Sequence, residues 1–122
     1  MQINQREIGN VTSLDLQGRI VLGDGDYILK ERVNSLFSQG RLRLLLNLKE
    51  ITYMDTTGLA TMISLRMAAE RVGGAIKLLH LPARIHDLLV ITRLTTLFDV
   101  FESEDEAAQS FSREVELTAK AD

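Results

Sequence analysis

Cysteine is absent from the 122-residue chain, which excludes disulfides, zinc–thiolate sites, iron–sulfur clusters and cysteine nucleophiles. Nothing argues for an oxidising compartment, and the cytoplasm is the expected location. Long apolar runs are missing too. None approaches the roughly 18 to 20 residues that span a bilayer, and the first ten residues hold no apolar stretch behind a basic start. Secretion and membrane insertion are not expected. Positive charge is scarce, with 14 Lys and Arg against 17 Asp and Glu and a formal net charge of −3. Direct nucleic-acid binding is disfavoured, because neutralising phosphates takes clustered basic side chains.

Several enzyme classes lack their sequence requirement. No GxGxxG follows the first predicted strand, and no GxxxxGK[ST] or GxSxG occurs. The two histidines, His80 and His86, are separated by six positions and a proline, so neither helix nor strand geometry aims them at one metal. Asp24 and Asp26 flank a glycine but lack the further oxygen ligands of a calcium loop. They read as turn and N-cap residues. A phospho-accepting receiver is a poor fit, since Asp55 has no acidic pair beside it to hold magnesium. No metal, cofactor or catalytic constellation is expected.

What is present suits one folded domain. Hydrophobic residues make up 45% and charged residues 25%, ordinary globular proportions. Residues 101–122 hold two basic and seven acidic side chains. The domain is expected over residues 1–112, with an acidic and flexible tail over 113–122.

Elements alternate along the chain. Gln2 to Ile8 and Val11 to Leu16 flank Gly9-Asn10, a hairpin signature, and Gly18 marks a bulge or break before Arg19 to Leu22. Gly23 to Asp26 supplies a turn and cap for a first helix that Gly40 closes. Leu42 to Leu48 is apolar on both faces, as a strand in the middle of a covered sheet requires. Ile51 to Asp55 is a brief extended stretch, followed by a long apolar helix that Gly73-Gly74 ends. Ala75 to His80 reads as a strand, Pro82 opens a short helix, and Leu97 to Phe101 is the last strand. Ser103 and Glu106 form a capping box for a helix expected to end near Ser112. The fold class is α/β: a mixed sheet of four or five strands with about four helices, mainly on one side.

The most informative stretch is Asp55-Thr56-Thr57-Gly58-Leu59, where a strand meets the amino end of the apolar helix. Capping by the aspartate and threonine side chains, with Gly58 easing the turn, is one complete explanation. It leaves open why two adjacent hydroxyls stand at an exposed corner where α/β domains commonly carry function. A phosphoryl group there gains from the helix dipole and free amides, and adds about −1.5 to −2 of charge beside Asp55.

Tyr53-Met54-Asp55-Thr56-Thr57-Gly58-Leu59 resembles the central motif of STAS domains, and of bacterial anti-sigma factor antagonists in particular, where the strand end reads Asp-Ser-(Ser/Thr)-Gly-Leu. Leu14 to Ile20, Leu42 to Leu48, Gly73 to Leu79 and Leu97 to Ala108 resemble the other elements of the family in order, so the likeness covers about residues 3–112. The resemblance implies a substrate and ligand rather than an enzyme. Unphosphorylated, such a protein binds an anti-sigma factor with serine-kinase activity and frees a sigma factor; phosphorylation, here at Thr56, switches it off, and a PP2C-type phosphatase restores it. It implies a partner surface over Asp24, Asp26, Asp55, Thr56, Thr57, Gly58 and Leu59, with Asp55 orienting the hydroxyl and Gly58 letting backbone approach the partner. Leu59 reads first as core. A monomer or weak homodimer is expected. Threonine replaces the usual serine at position 56, and its β-methyl restricts χ1. That keeps open an unphosphorylated docking module of a larger signalling or ABC lipid-transport complex.

Overall fold

The computed structural model describes residues 1–121, with side chains through Ser112. Strand β1 (Gln2–Ile8) turns through Gly9, at φ 58°, into the antiparallel β2 (Val11–Ile20). The chain continues through α1 (Asp26–Ser38), β3 (Arg43–Met54), α2 (Thr56–Arg71), β4 (Ala75–Leu79), α3 (Ala83–Ile91), β5 (Val100–Phe101) and α4 (Glu104–Ala121). The five strands lie in the order β1-β2-β3-β4-β5, and every pair after the first hairpin is parallel. This is the expected mixed α/β sheet.

Leu44, Leu46 and Leu48 of β3 face a core closed by Leu29, Val33 and Leu36 of α1, Leu59, Met62 and Leu65 of α2, and Ile85 and Leu89 of α3. Leu45 points the other way, into a smaller cluster with Val11, Leu79, Ala107 and Phe111. Three helices therefore cover one face and α4 alone covers the other, which is why β3 is apolar on both sides. Polar contacts tie α4 down. Arg6 donates to both oxygens of Asp15, at 2.6 and 3.0 Å, and to Glu104 at the start of α4. At the other end Lys77 of β4 donates to Ser110 at 2.9 Å and sits over the Phe111 ring, 4.6 Å from its centroid.

Several expectations need correction. Ile51 to Asp55 is no separate stretch, because β3 runs unbroken from Arg43 to Met54 beside β2 and Asp55 is already the N-cap of the next helix. Of the two readings of Gly18 the bulge holds, at φ 122° with register shifts on either side, but β2 ends at Ile20 and not at Leu22. Neither Asp24 nor Asp26 caps α1. Gly25 does so at φ 96° without a side-chain bond, and a Cβ there would stand 2.0 Å from the Arg19 carbonyl oxygen. Pro82 is the N-cap of α3 rather than its first residue. The last strand shrinks to Val100–Phe101, because Leu97 and Phe98 pack into the core instead of pairing. Ser103 accepts from the Glu106 amide at 3.3 Å, giving the hydroxyl half of the capping box. The α4 helix passes Ser112 and ends at Ala121. Of residues 113–121 only the backbone is described, and the side chains of the expected acidic tail, with Asp122 entire, lie outside the described residues.

Candidate functional site

The long parallel pairing of β2 with β3 builds one rim. Ile20 lies opposite Met54, so the turn that follows β2 stands beside the corner that follows β3. Strand ends in α/β sheets gather loops in this way. The turn is closed by two backbone bonds between Val21 and Asp24, of 2.9 and 3.0 Å.

Asp55 is the N-cap of α2, in extended backbone at φ −95° and ψ −176°. Its Oδ1 accepts from the Gly58 amide at 2.7 Å, and its Oδ2 accepts from the Leu22 amide at 3.3 Å. One carboxylate thus satisfies a first-turn amide of the helix and anchors the neighbouring turn. Thr56, the first helical residue, is exposed, and Thr57 is half-buried. An anion at Thr56 would meet the amino end of a 16-residue helix whose first turn holds no acidic side chain.

The other expected site residues divide. Asp24 is on the rim, bonded through Oδ2 to Arg19 Nη2 at 3.0 Å. Asp26 opens α1 on the same rim, and its Oδ1 is buried without a hydrogen-bond partner among the described residues. Gly58 and Leu59 are turned inward instead. A Cβ on Gly58 would lie 1.9 Å from the Ile20 carbonyl oxygen, so this glycine lets α2 approach the end of β2. Leu59 belongs to the main core. Both residues shape the corner from beneath.

Three exposed apolar side chains at the rim escaped the sequence reading. Leu22 is 72% exposed, Tyr27 69% and Tyr53 49%. For Tyr27 the available signal was phase, since it falls outside the Leu29, Val33 and Leu36 stripe of α1; Leu22 and Tyr53 stand two residues after buried Ile20 and Ile51, and alternation gave no such signal for them.

Elsewhere the chemistry is structural. His80 lies 3.7 Å from Glu102 and His86 3.8 Å from its neighbour Asp87. Among the described residues there is no group of three or more His, Asp or Glu able to hold a metal. Nor, among them, is any helix long and apolar enough to cross a membrane.

A mixed sheet opened by a hairpin, with a capped Asp-Thr-Thr-Gly-Leu corner on its rim, defines a recognisable class of domain. The STAS domain family matches residues 2–107, and the chain belongs to it. A relative from Bacillus subtilis named anti-sigma-B factor antagonist is 34% identical over 73 residues, which make up 60% of this chain and 66% of that protein, just under two thirds of its length. The phosphorylated form of the Bacillus cell fate determinant SpoIIAA superposes with a TM-score of 0.70 at 15% identity, covering 90% of this chain and 99% of that one. An anti-sigma factor antagonist from Mycobacterium paratuberculosis gives a TM-score of 0.75 at 12% identity, covering 89% and 92%. At these identities the structural likeness is one of fold.

Proposed function

We propose that this chain is an anti-sigma factor antagonist switched by phosphorylation at Thr56. In the unphosphorylated state it binds an anti-sigma factor with serine-kinase activity through the rim that carries Asp24, Asp26 and the Asp55–Leu59 corner, and a sigma factor is released. Phosphorylation of Thr56 ends that binding, and a PP2C-type phosphatase reverses it. The protein is ligand and substrate in this cycle, not catalyst, and acts in the cytoplasm as a monomer or weak homodimer.

The observation that carries the reading is the placement of Thr56. It is an exposed hydroxyl at the first position of α2, directly after a capping aspartate. A phosphate there is held by first-turn amides and the helix dipole, yet sets about −1.5 to −2 of charge beside Asp55 on the docking face. The covalent change is thereby tolerated by the fold and opposed at the interface. The similarity to the Bacillus subtilis anti-sigma-B factor antagonist supports the same partner class.

Incubation with the cognate kinase-type anti-sigma factor and ATP, read by intact mass and fragment spectra, is the test. One phosphoryl group on Thr56 is expected. A phosphoryl group on Thr57, or no mass change with a kinase shown to bind, would overturn the assignment. The second outcome favours a docking module without a phosphorylation cycle, the reading to which the β-branched threonine points.

A further inference from the structure

Burying apolar surface stabilises an interface most where the side chains are large, exposed before binding and desolvated together on binding. The rim beside Thr56 supplies such side chains from three separate segments. Leu22 projects from the turn after β2, Tyr27 from the first turn of α1 and Tyr53 from the end of β3. None is needed for the core of its own segment. Leu29, Val33 and Leu36 already fill the inward face of α1, and Ile51 and Met54 fill that of β3 around Tyr53.

Their placement is held from below. The Leu22 amide is bonded to Asp55, and Tyr53 lies opposite Arg19 in the parallel ladder. The stretches 19–28 and 53–59 carry three carboxylates, Asp24, Asp26 and Asp55, against one guanidinium, Arg19. Asp24 is paired both with that guanidinium and with the Met1 ammonium, 3.5 Å from its Oδ1. With three carboxylates against these two cations, the rim is apolar and aromatic with a border that stays net negative.

We infer that Leu22, Tyr27 and Tyr53 are the anchors of partner binding, and that they enter an apolar groove bordered by lysine or arginine side chains on a folded protein. The inference rests on the docking reading above and assigns the source of its affinity. The carboxylates choose and orient a cationic border, as charge complementarity governs approach and register more than strength. The three apolar side chains hold the complex together. Tyrosine is well suited to the task, offering large contact area with few rotatable bonds. Phosphorylation then acts at the edge of the anchor patch, adding negative charge where this face is already negative.

The test is a titration of the full chain against its kinase-type anti-sigma factor, with Leu22→Ser, Tyr27→Ser and Tyr53→Ser compared with Ile91→Ser. Ile91 ends α3, away from the rim, and at 78% is more exposed than any of the three. Each rim variant is expected to keep the denaturation midpoint of the parent and to weaken binding at least about tenfold. Ile91→Ser is expected to bind as the parent does. Rim variants that bind like the parent, while Thr56→Glu abolishes binding, would overturn the anchoring role and leave the docking site in place. Equal losses for Ile91→Ser and the rim variants would overturn it as well. Failure of the unsubstituted chain to bind would instead overturn the functional reading, and this inference with it.

Discussion

The Leu22 amide donates to Asp55 Oδ2 at 3.3 Å, joining two residues 33 positions apart in sequence. The other oxygen of the same carboxylate takes the Gly58 amide at 2.7 Å. A side chain that a motif presents as a helix cap therefore also fixes the turn after β2. The Asp55–Leu59 corner and the turn beside it become one mechanical unit.

Substitution at Asp55 separates the two bonds. Asp55→Ala removes both acceptors and is expected to cost about 0.5 to 2 kcal/mol, the usual range for a lost N-cap. Asparagine is as good an N-cap, so Asp55→Asn is expected to stay close to the parent in stability. It keeps one acceptor oxygen for Gly58 but turns an amide donor toward Leu22. Hydrogen exchange should show Gly58 protected and Leu22 exposed in Asp55→Asn, and both exposed in Asp55→Ala. Unchanged Leu22 exchange in both variants would show that the 3.3 Å contact holds nothing.

Gly58→Ala sets two effects against each other. Alanine gains about 1 kcal/mol over glycine in helix propensity. Its Cβ, however, would stand 1.9 Å from the Ile20 carbonyl oxygen and 2.8 Å from the carbon of the same group. Backbone of a central strand cannot swing aside as a side chain does. Overpacking of this kind costs about 1 to 3 kcal/mol or more, and a net loss is expected in urea denaturation. A more stable variant would mean that α2 can back away from β2 at no cost.

Much of the frame was legible in sequence because local chemistry and tertiary demand agreed there. Leu42 to Leu48 reads as a strand buried on both faces, and helices do cover both faces of β3. Asp55 before an apolar helix reads as a cap, and it caps. The turn at 21–25 was less legible. Two aspartates suggested side-chain capping, but the crowding of Gly25 against the Arg19 carbonyl decides that cap, and crowding across a turn has no sequence periodicity. The closing strand was overread for a similar reason. Leu97 to Phe101 is a short, mainly apolar run that reads as a strand, yet the main core claims the Leu97 and Phe98 side chains. The apolar rim stayed hidden because exposed Leu22, Tyr27 and Tyr53 are apolar residues like those that pack inside.

Arg6 and Asp15 give the fold an acid-sensitive joint. The Arg6 guanidinium, and beyond it the Asn47 amide, hold the Asp15 carboxyl below its ordinary value of 3.8, against the opposing pull of burial. A carboxyl depressed in the folded state contributes stability that is present above its unfolded pKa and lost as pH falls through the folded one. The contribution should therefore be complete above about pH 5 and decline below the ordinary value of 3.8. Arg6→Met removes the main cause of the depression, so stability should fall less steeply below pH 4 in this variant. Urea denaturation across pH 2 to 6 measures both slopes, and parallel curves would exclude the pair as their source.

Thr56 offers a separation of stability from binding that a purely structural role would not produce. Because Asp55 is the cap and Thr56 the first helical residue, Thr56→Ala leaves the capping bonds intact. Its stability is expected within about 0.5 kcal/mol of the parent, and its partner binding largely retained, with phosphorylation at that position abolished. Thr56→Glu puts a carboxylate in the first turn of α2, where the helix dipole favours it by about 0.3 to 1 kcal/mol. The fold should be as stable as the parent or slightly more so. Binding should nevertheless fall sharply, because the added charge stands beside Asp55 on the proposed docking face. Thr57 is half-buried, and Thr57→Ala should leave both phosphorylation and binding near parent levels. Calorimetric titration of the three variants, beside their denaturation curves, reads the two quantities independently. A Thr56→Glu chain that binds as well as Thr56→Ala would remove charge as the switching variable at this corner.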